Sequence, residues 1–247
     1  MSTRLSPEAY LSALERSSEQ VAALASRSAA DEPIPSCPGW VARDLVAHLG
    51  GVHAWARGIV AGGSPKDPRP EPEGDLSQWY AGQARQLIDD LRAVDPAAPA
   101  WSFSDDRTVA FWLRRQPHET EMHRLDLAMA AGENPTYDDE LAADAISEVF
   151  DVMLPRMHAK EQVAISAPIR FVATDRGEQW LLQPSDQPGV VNYEHSTVVG
   201  TEHAAVTASA PAAELVSGLW GRTPYALWGI EGDRAVLDEL MRSGLTP

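Results

Sequence analysis

The hydrophobic pattern changes period partway along this chain, and that change constrains the fold more than any other feature. Up to about residue 158, apolar side chains recur every three or four positions, as they do on helices. Beyond it they gather in short β-branched and aromatic runs broken by Gly and Pro. Helices first and strands second is the pattern of an α+β protein whose layers segregate. We therefore expect two domains: residues 1–157 as a four-helix bundle, and residues 158–247 as a small α/β sandwich with a mainly antiparallel sheet.

Local signals place the elements. Ser6, Pro7 and Glu8 supply a cap, a proline at the first helical position and an early acid, ahead of Tyr10, Leu14, Val21 and Leu24. The turn-like Pro33–Gly39 introduces a helix over about Trp40–Val60, whose stripe is Leu45, His48, Leu49, Val52, Trp55 and Ile59. A Pro- and Gly-rich connector, Gly62–Gly74, precedes a third helix over Leu76–Val94. Asp105 or Asp106 can cap a fourth, with Val109, Trp112, Leu113, Gln116, Glu119, His123 and Leu127 on one stripe and Gly132 past its end. Glu140–His158 is helical in pattern. Strands are expected over Val163–Thr174, Gln179–Gln183, Val190–His195 and Ala204–Ala208, with Gly177, Pro184, Pro188 and Gly189 at the turns. Short helices close the chain near Pro211–Trp220 and Asp233–Met241.

Charge narrows the partners. A formal net charge of −16, with no compensating basic patch, argues against nucleic acid or an anionic membrane surface. No apolar run reaches membrane-spanning length, and the N-terminus lacks a signal peptide's apolar core. The one cysteine, Cys37, precludes an internal disulfide and fits a reducing cytoplasm, where we expect the protein to reside.

The chemistry concentrates in one constellation. Glu119 and His123 lie four residues apart, so both project from one helix face, and that face reads as core-facing. An ionised carboxylate aimed at a bundle interior is costly unless it is paired or binds a metal. His48 interrupts the stripe of another helix in the same way. Two imidazoles and a carboxylate suit zinc with an open fourth position. The plainer alternative has Glu119 paired with Arg115 and His123 as a satisfied interior histidine. Asp126, three residues beyond His123, either orients that imidazole from behind or pairs with Arg124 or Arg115. His53 falls about 140° round its helix from His48 and faces elsewhere, as do His118 and Glu121 relative to Glu119. His158, His195 and His203 have no paired spacing. Cys37, with only Arg43 as a nearby cation, reads as a small apolar loop residue. No phosphate-binding loop, dinucleotide fingerprint or nucleophile elbow is present.

Three segments then carry a resemblance. SCPGWVARDLVAHLGGVHAW (Ser36–Trp55), RQPHETEMHRLDL (Arg115–Leu127) and VTASAPAAELVSGLWGR (Val206–Arg222) resemble, in order, the mycothiol-dependent maleylpyruvate isomerase-like family. That resemblance implies a DinB-like metal-binding four-helix bundle and a sterol-carrier-like second domain. It implies a divalent metal, usually zinc, on His48, Glu119 and His123, and mycothiol as thiol cosubstrate. It further implies that Arg222, in the "WGR" segment, reaches the catalytic cleft, where a guanidinium can clamp a substrate carboxylate; a surface ion pair is the alternative. Where relatives often read "HRWD", this chain has Leu125 in place of Trp, which leaves the ligands untouched. The expected partners are mycothiol and a small, carboxylate-bearing electrophile. The expected chemistry is thiol addition, ending in cis-trans isomerisation or in S-transfer. Two other readings stay open: a zinc hydrolase using metal-bound hydroxide, and a non-enzymatic metal-binding or regulatory protein.

Overall fold

Ser6 starts the first helix as its residue type predicts: its hydroxyl accepts from the Ala9 N–H at 3.2 Å, with Pro7 in the first turn, and α1 runs Pro7–Arg27. The computed structural model describes residues 4–158, 165–186, 190–197 and 203–246. Residues 163 and 164 of the first expected strand, and the turn markers Pro188 and Gly189, lie outside them.

α2 (Ala42–Val60) begins two residues later than its apolar pattern suggested. The Val41 side chain cannot accept, and the Asp44 carboxylate closes the helix start by accepting the Val41 N–H at 3.1 Å. Asp75 caps α3 (Leu76–Ala93) by accepting from the Gln78 N–H at 3.0 Å. α4 (Val109–Ala130) corrects the expected cap at Asp105 or Asp106. Asp106 accepts instead from the Thr108 hydroxyl at 2.6 Å, and a bridge between Pro99 and Thr108 holds Thr108 extended until the helix begins. α4 also runs through Pro117, whose missing N–H leaves one helical bond unmade.

In the bundle, α1 and α2 each pack against both α3 and α4. Leu45, Leu49, Tyr80 and Leu127 meet in its core, all fully buried. α2 and α3 approach closely at Gly50, where a Cβ would lie 2.2 Å from the Trp79 ring. Among the described residues no helix is long and apolar enough to cross a membrane.

The chain divides into two compact units within α5 (Asp139–Glu148), Leu5–Leu141 and Ala142 onward, whereas the sequence pattern placed the division after residue 157. The expected helix Glu140–His158 continues from α5 through a π-helical turn, Val149–Met153, into α6 (Leu154–His158). Its packing explains the earlier division: Ser147 accepts from the Trp180 indole at 2.8 Å, and the Phe150 ring lies 5.5 Å from Phe171.

Among the described residues the second unit carries five strands: β1 (Ile169–Ala173), β2 (Glu178–Pro184), β3 (Val191–Ser196), β4 (Val206–Ala210) and β5 (Gly229–Gly232). Their order is β3-β2-β1-β4-β5. All pairings are antiparallel except β1 with β4, where Phe171 lies opposite Ala208. β5 was missed because two of its four residues are glycine. α7 (Ala212–Leu219) packs on β1 and β4, and α8 (Arg234–Arg242) on β4.

Candidate metal centre

His48, on α2, and Glu119 and His123, on α4, come together as a group whose ligand atoms all lie within 4.8 Å of one another. Both imidazole Nε2 atoms stand 3.5 Å from the same carboxylate oxygen, Glu119 Oε1, and the rings meet edge to face at 5.4 Å. The other Glu119 oxygen accepts from the Arg115 guanidinium, so the expected Arg115 pair and the three-residue cluster coexist.

The stripe reading needs one correction. α4 is buried on most of its circumference, including Arg114, Gln116, His118, Thr120 and Glu121. Glu119 and His123 are among its more open positions, at 18% and 12% side-chain exposure, and His48 is at 29%. The cluster is therefore partly exposed and not sealed in the interior. Spacing alone could not show this, because a helix buried on most of its circumference has no clear apolar stripe to separate core from solvent.

Asp126 is fully buried. Its Oδ2 accepts from His123 Nδ1 at 2.9 Å and from the Cys37 thiol at 3.7 Å, and its Oδ1 accepts from the Ser36 hydroxyl at 2.6 Å. Of its two expected arrangements, this is the one behind the imidazole. Arg124 pairs instead with Glu121, 2.7 Å away. Cys37 is thus more than loop packing: its sulfur belongs to a second close group with His123 and Asp126. The Trp40 ring packs against His48 at 4.9 Å. Ser36 carries no sequence signal for this role, and Trp40 reads from sequence as a core candidate that could line a pocket; the fold of the 33–41 turn brings both here. That turn closes through the Ile34 N–H on the Trp40 carbonyl, with Gly39 at φ 85°.

The charges are strongly coupled. Burial pushes the Glu119 carboxyl up, but the Arg115 charge and both imidazoles outweigh it and hold Glu119 well below the usual range. Burial pushes His123 down, and hydrogen bonds to Asp126 and Glu119 overcome it, raising His123 to about 9. A metal would compete with that proton for Nε2.

The donor set fits a zinc-type ion. Ligands ~2.0–2.1 Å from a tetrahedral centre lie about 3.3 Å apart, close to the two 3.5 Å separations seen. With Nδ1 committed to Asp126, neutral His123 presents a lone pair at Nε2.

The remaining candidates fall elsewhere. His118 Nδ1 lies 3.2 Å from the Tyr137 hydroxyl, and His195 Nε2 lies 2.9 Å from Glu178. The His158 side chain lies outside the described residues, and His203 is exposed. Arg222, in the second unit, donates to the Trp220 carbonyl at 2.8 Å, and its guanidinium lies 5.8 Å from the Trp220 ring centre.

Comparison with known proteins bears on the family and the fold. The family model for the mycothiol maleylpyruvate isomerase N-terminal domain matches residues 10–128, and that for the MDMPI C-terminal domain matches residues 140–239. A crystal structure of the mycothiol-dependent maleylpyruvate isomerase is similar with a TM-score of 0.60 at 13% identity, over 89% of this chain and 90% of that one. The crystal structure of a histidine-to-alanine mutant of that isomerase gives 0.63 at 12% identity, over 92% and 93%. No curated protein sequence matches. With both family domains matched in order across most of its length, the chain belongs to the mycothiol-dependent maleylpyruvate isomerase family.

Proposed function

We propose that this chain is a mycothiol-dependent enzyme that adds a low-molecular-weight thiol to a small electrophile, with a divalent metal, zinc by its donor set, on His48, Glu119 and His123. The observation that carries this reading is the convergence of three donors from two helices. A metal bound there supplies the positive charge that favours thiolate over thiol at neutral pH.

The chain's own groups do the rest. Asp126 holds the Nδ1 proton of His123 and fixes the ring's orientation. Arg115 occupies one Glu119 oxygen and leaves the other facing the imidazoles. Trp40 limits rotation of the His48 ring. Arg222 is assigned to hold a substrate carboxylate, for which a guanidinium offers two parallel donors. In a cis-trans isomerisation the thiolate adds to a conjugated double bond, the new single bond rotates, and elimination returns the thiol. In an S-transfer the adduct leaves intact. Both begin with the same addition. A reducing cytoplasm suits a reduced Cys37 thiol and a thiol cosubstrate.

Elemental mass spectrometry on untagged protein tests the centre, with His123→Ala as control. About one zinc per chain, lost in the variant, supports it. A wild type that takes up no zinc when supplied refutes it. Turnover of maleyl-type acids without any thiol refutes the thiol chemistry and favours hydrolysis.

A further inference from the structure

The middle of the bundle is unexpectedly polar. His53 on α2, Tyr80 on α3, and Gln116 and Thr120 on α4 are all fully buried, and Ser18 on α1 nearly so. Each of the four helices contributes to this set. His53 Nδ1 and both amide atoms of Gln116 complete no hydrogen bond. A bundle interior gains stability from apolar side chains, so polarity kept at this depth calls for a reason beyond packing.

One contact in the set is well formed: His53 Nε2 lies 2.9 Å from Thr120 Oγ1. Its direction follows from the donors available. The Thr120 hydroxyl has one proton, directed at the Gln116 carbonyl 2.8 Å away, so Thr120 accepts from His53 Nε2–H. His53 is thereby held as the Nε2–H form, and its burial, which lowers its pKa to about 3, keeps it neutral.

The location gives the bond its meaning. All three candidate ligands sit on α2 and α4, and this hydrogen bond joins those two helices. His53 lies five residues from His48. Thr120 is next in sequence to Glu119 and three residues before His123. Helix register between α2 and α4 sets how far His48 stands from Glu119, so a directional bond at this point constrains that distance where apolar packing would let it slide. Resting on the metal reading above, we propose that His53 is a positioning residue of the metal centre, acting through Thr120 to hold α2 and α4 in the register that brings His48 to Glu119 and His123. His53 itself ligates nothing.

The test uses Thr120→Val, an isosteric exchange that deletes the hydroxyl, with His53→Leu and the double variant. Zinc affinity is measured by competition with a chromophoric chelator, and cobalt(II)-loaded protein is followed by its visible spectrum, which reports ligand geometry. Circular dichroism and thermal unfolding of the metal-free proteins run alongside. We expect both single variants to fold, with metal-free Tm unchanged or raised, while zinc binds ~10–100-fold more weakly, the range for groups that orient ligands. The cobalt bands should shift, and the double variant should be no worse than the worse single. His53→Gln, which keeps a donor for Thr120, should recover part of the affinity. If His53→Leu fails to fold, Thr120→Val alone decides. Unchanged zinc affinity and cobalt spectrum in folded Thr120→Val overturn the proposal while leaving the ligand set standing. A wild type that binds neither metal overturns the ligand set, and the positioning role with it.

Discussion

Asp126→Asn isolates what a buried carboxylate does for His123. The exchange keeps the side chain's size and one oxygen acceptor and removes its charge. In the metal-free protein His123 titrates at about 9 against a usual 6.5, because Asp126 and Glu119 together overcome the opposing effect of burial. Since the folded-state value is raised, the protonated ring stabilises the fold fully below pH 6.5, and the contribution is lost as pH rises through about 9. A rise of that size corresponds to about 3 kcal/mol. Asp126 heads the groups that raise the value, so its neutralisation should remove about 1–2 kcal/mol at pH 6 and less at pH 9.5. The His123 titration should move down, since burial then meets less opposition. Zinc affinity should fall ~10–100-fold, equivalent to about 1.4–2.7 kcal/mol. The assay is histidine ring-proton NMR and urea unfolding of chelator-treated protein at both pH values, followed by zinc competition. An unmoved His123 titration, with an equal stability deficit at pH 6 and pH 9.5, would refute the reasoning.

Two further exchanges test the packing that holds the site. Gly50→Ala places a Cβ 2.2 Å from the Trp79 ring, and overpacking of about 1–3 kcal/mol should outweigh a helix-propensity gain of about 1 kcal/mol. A raised Tm would show that Trp79 yields freely. Glu121 accepts from the Ser17 hydroxyl at 2.7 Å, the Arg124 guanidinium at 2.7 and 2.8 Å, and the Asp138 N–H at 2.8 Å, joining α1, α4 and the start of α5. Glu121→Ala removes the carboxylate partner of a mostly buried Arg124 and should cost about 3–5 kcal/mol in urea unfolding. A loss under about 1 kcal/mol would mean that water replaces the carboxylate.

Particular residues show where sequence reading works. Ser6 declares its helix start because a capping bond involves residues two or three apart. Asp106 misleads for a tertiary reason: the loop bridged at Pro99 and Thr108 spends its carboxylate on Thr108. β5 is invisible because Gly229 and Gly232 carry no side-chain pattern, and only the β4 edge gives it a partner. Glu121 and His53 were set aside for their angle on the helix. Both are buried and bonded across helices, Glu121 to Ser17 of α1 and His53 to Thr120 of α4.

By itself, then, the sequence determined the helical and strand-rich halves and singled out His48, Glu119 and His123 by residue type and spacing. Those are properties of one helix at a time, governed by its period and chemistry. Only the tertiary structure decided that two imidazoles meet one carboxylate oxygen at a partly exposed position. It also decided that Asp126 lies behind His123 with Ser36 and Cys37, and that His53 reaches Thr120. Such facts depend on the register between helices far apart in the chain, which is settled by packing and directional bonds that local spacing does not encode.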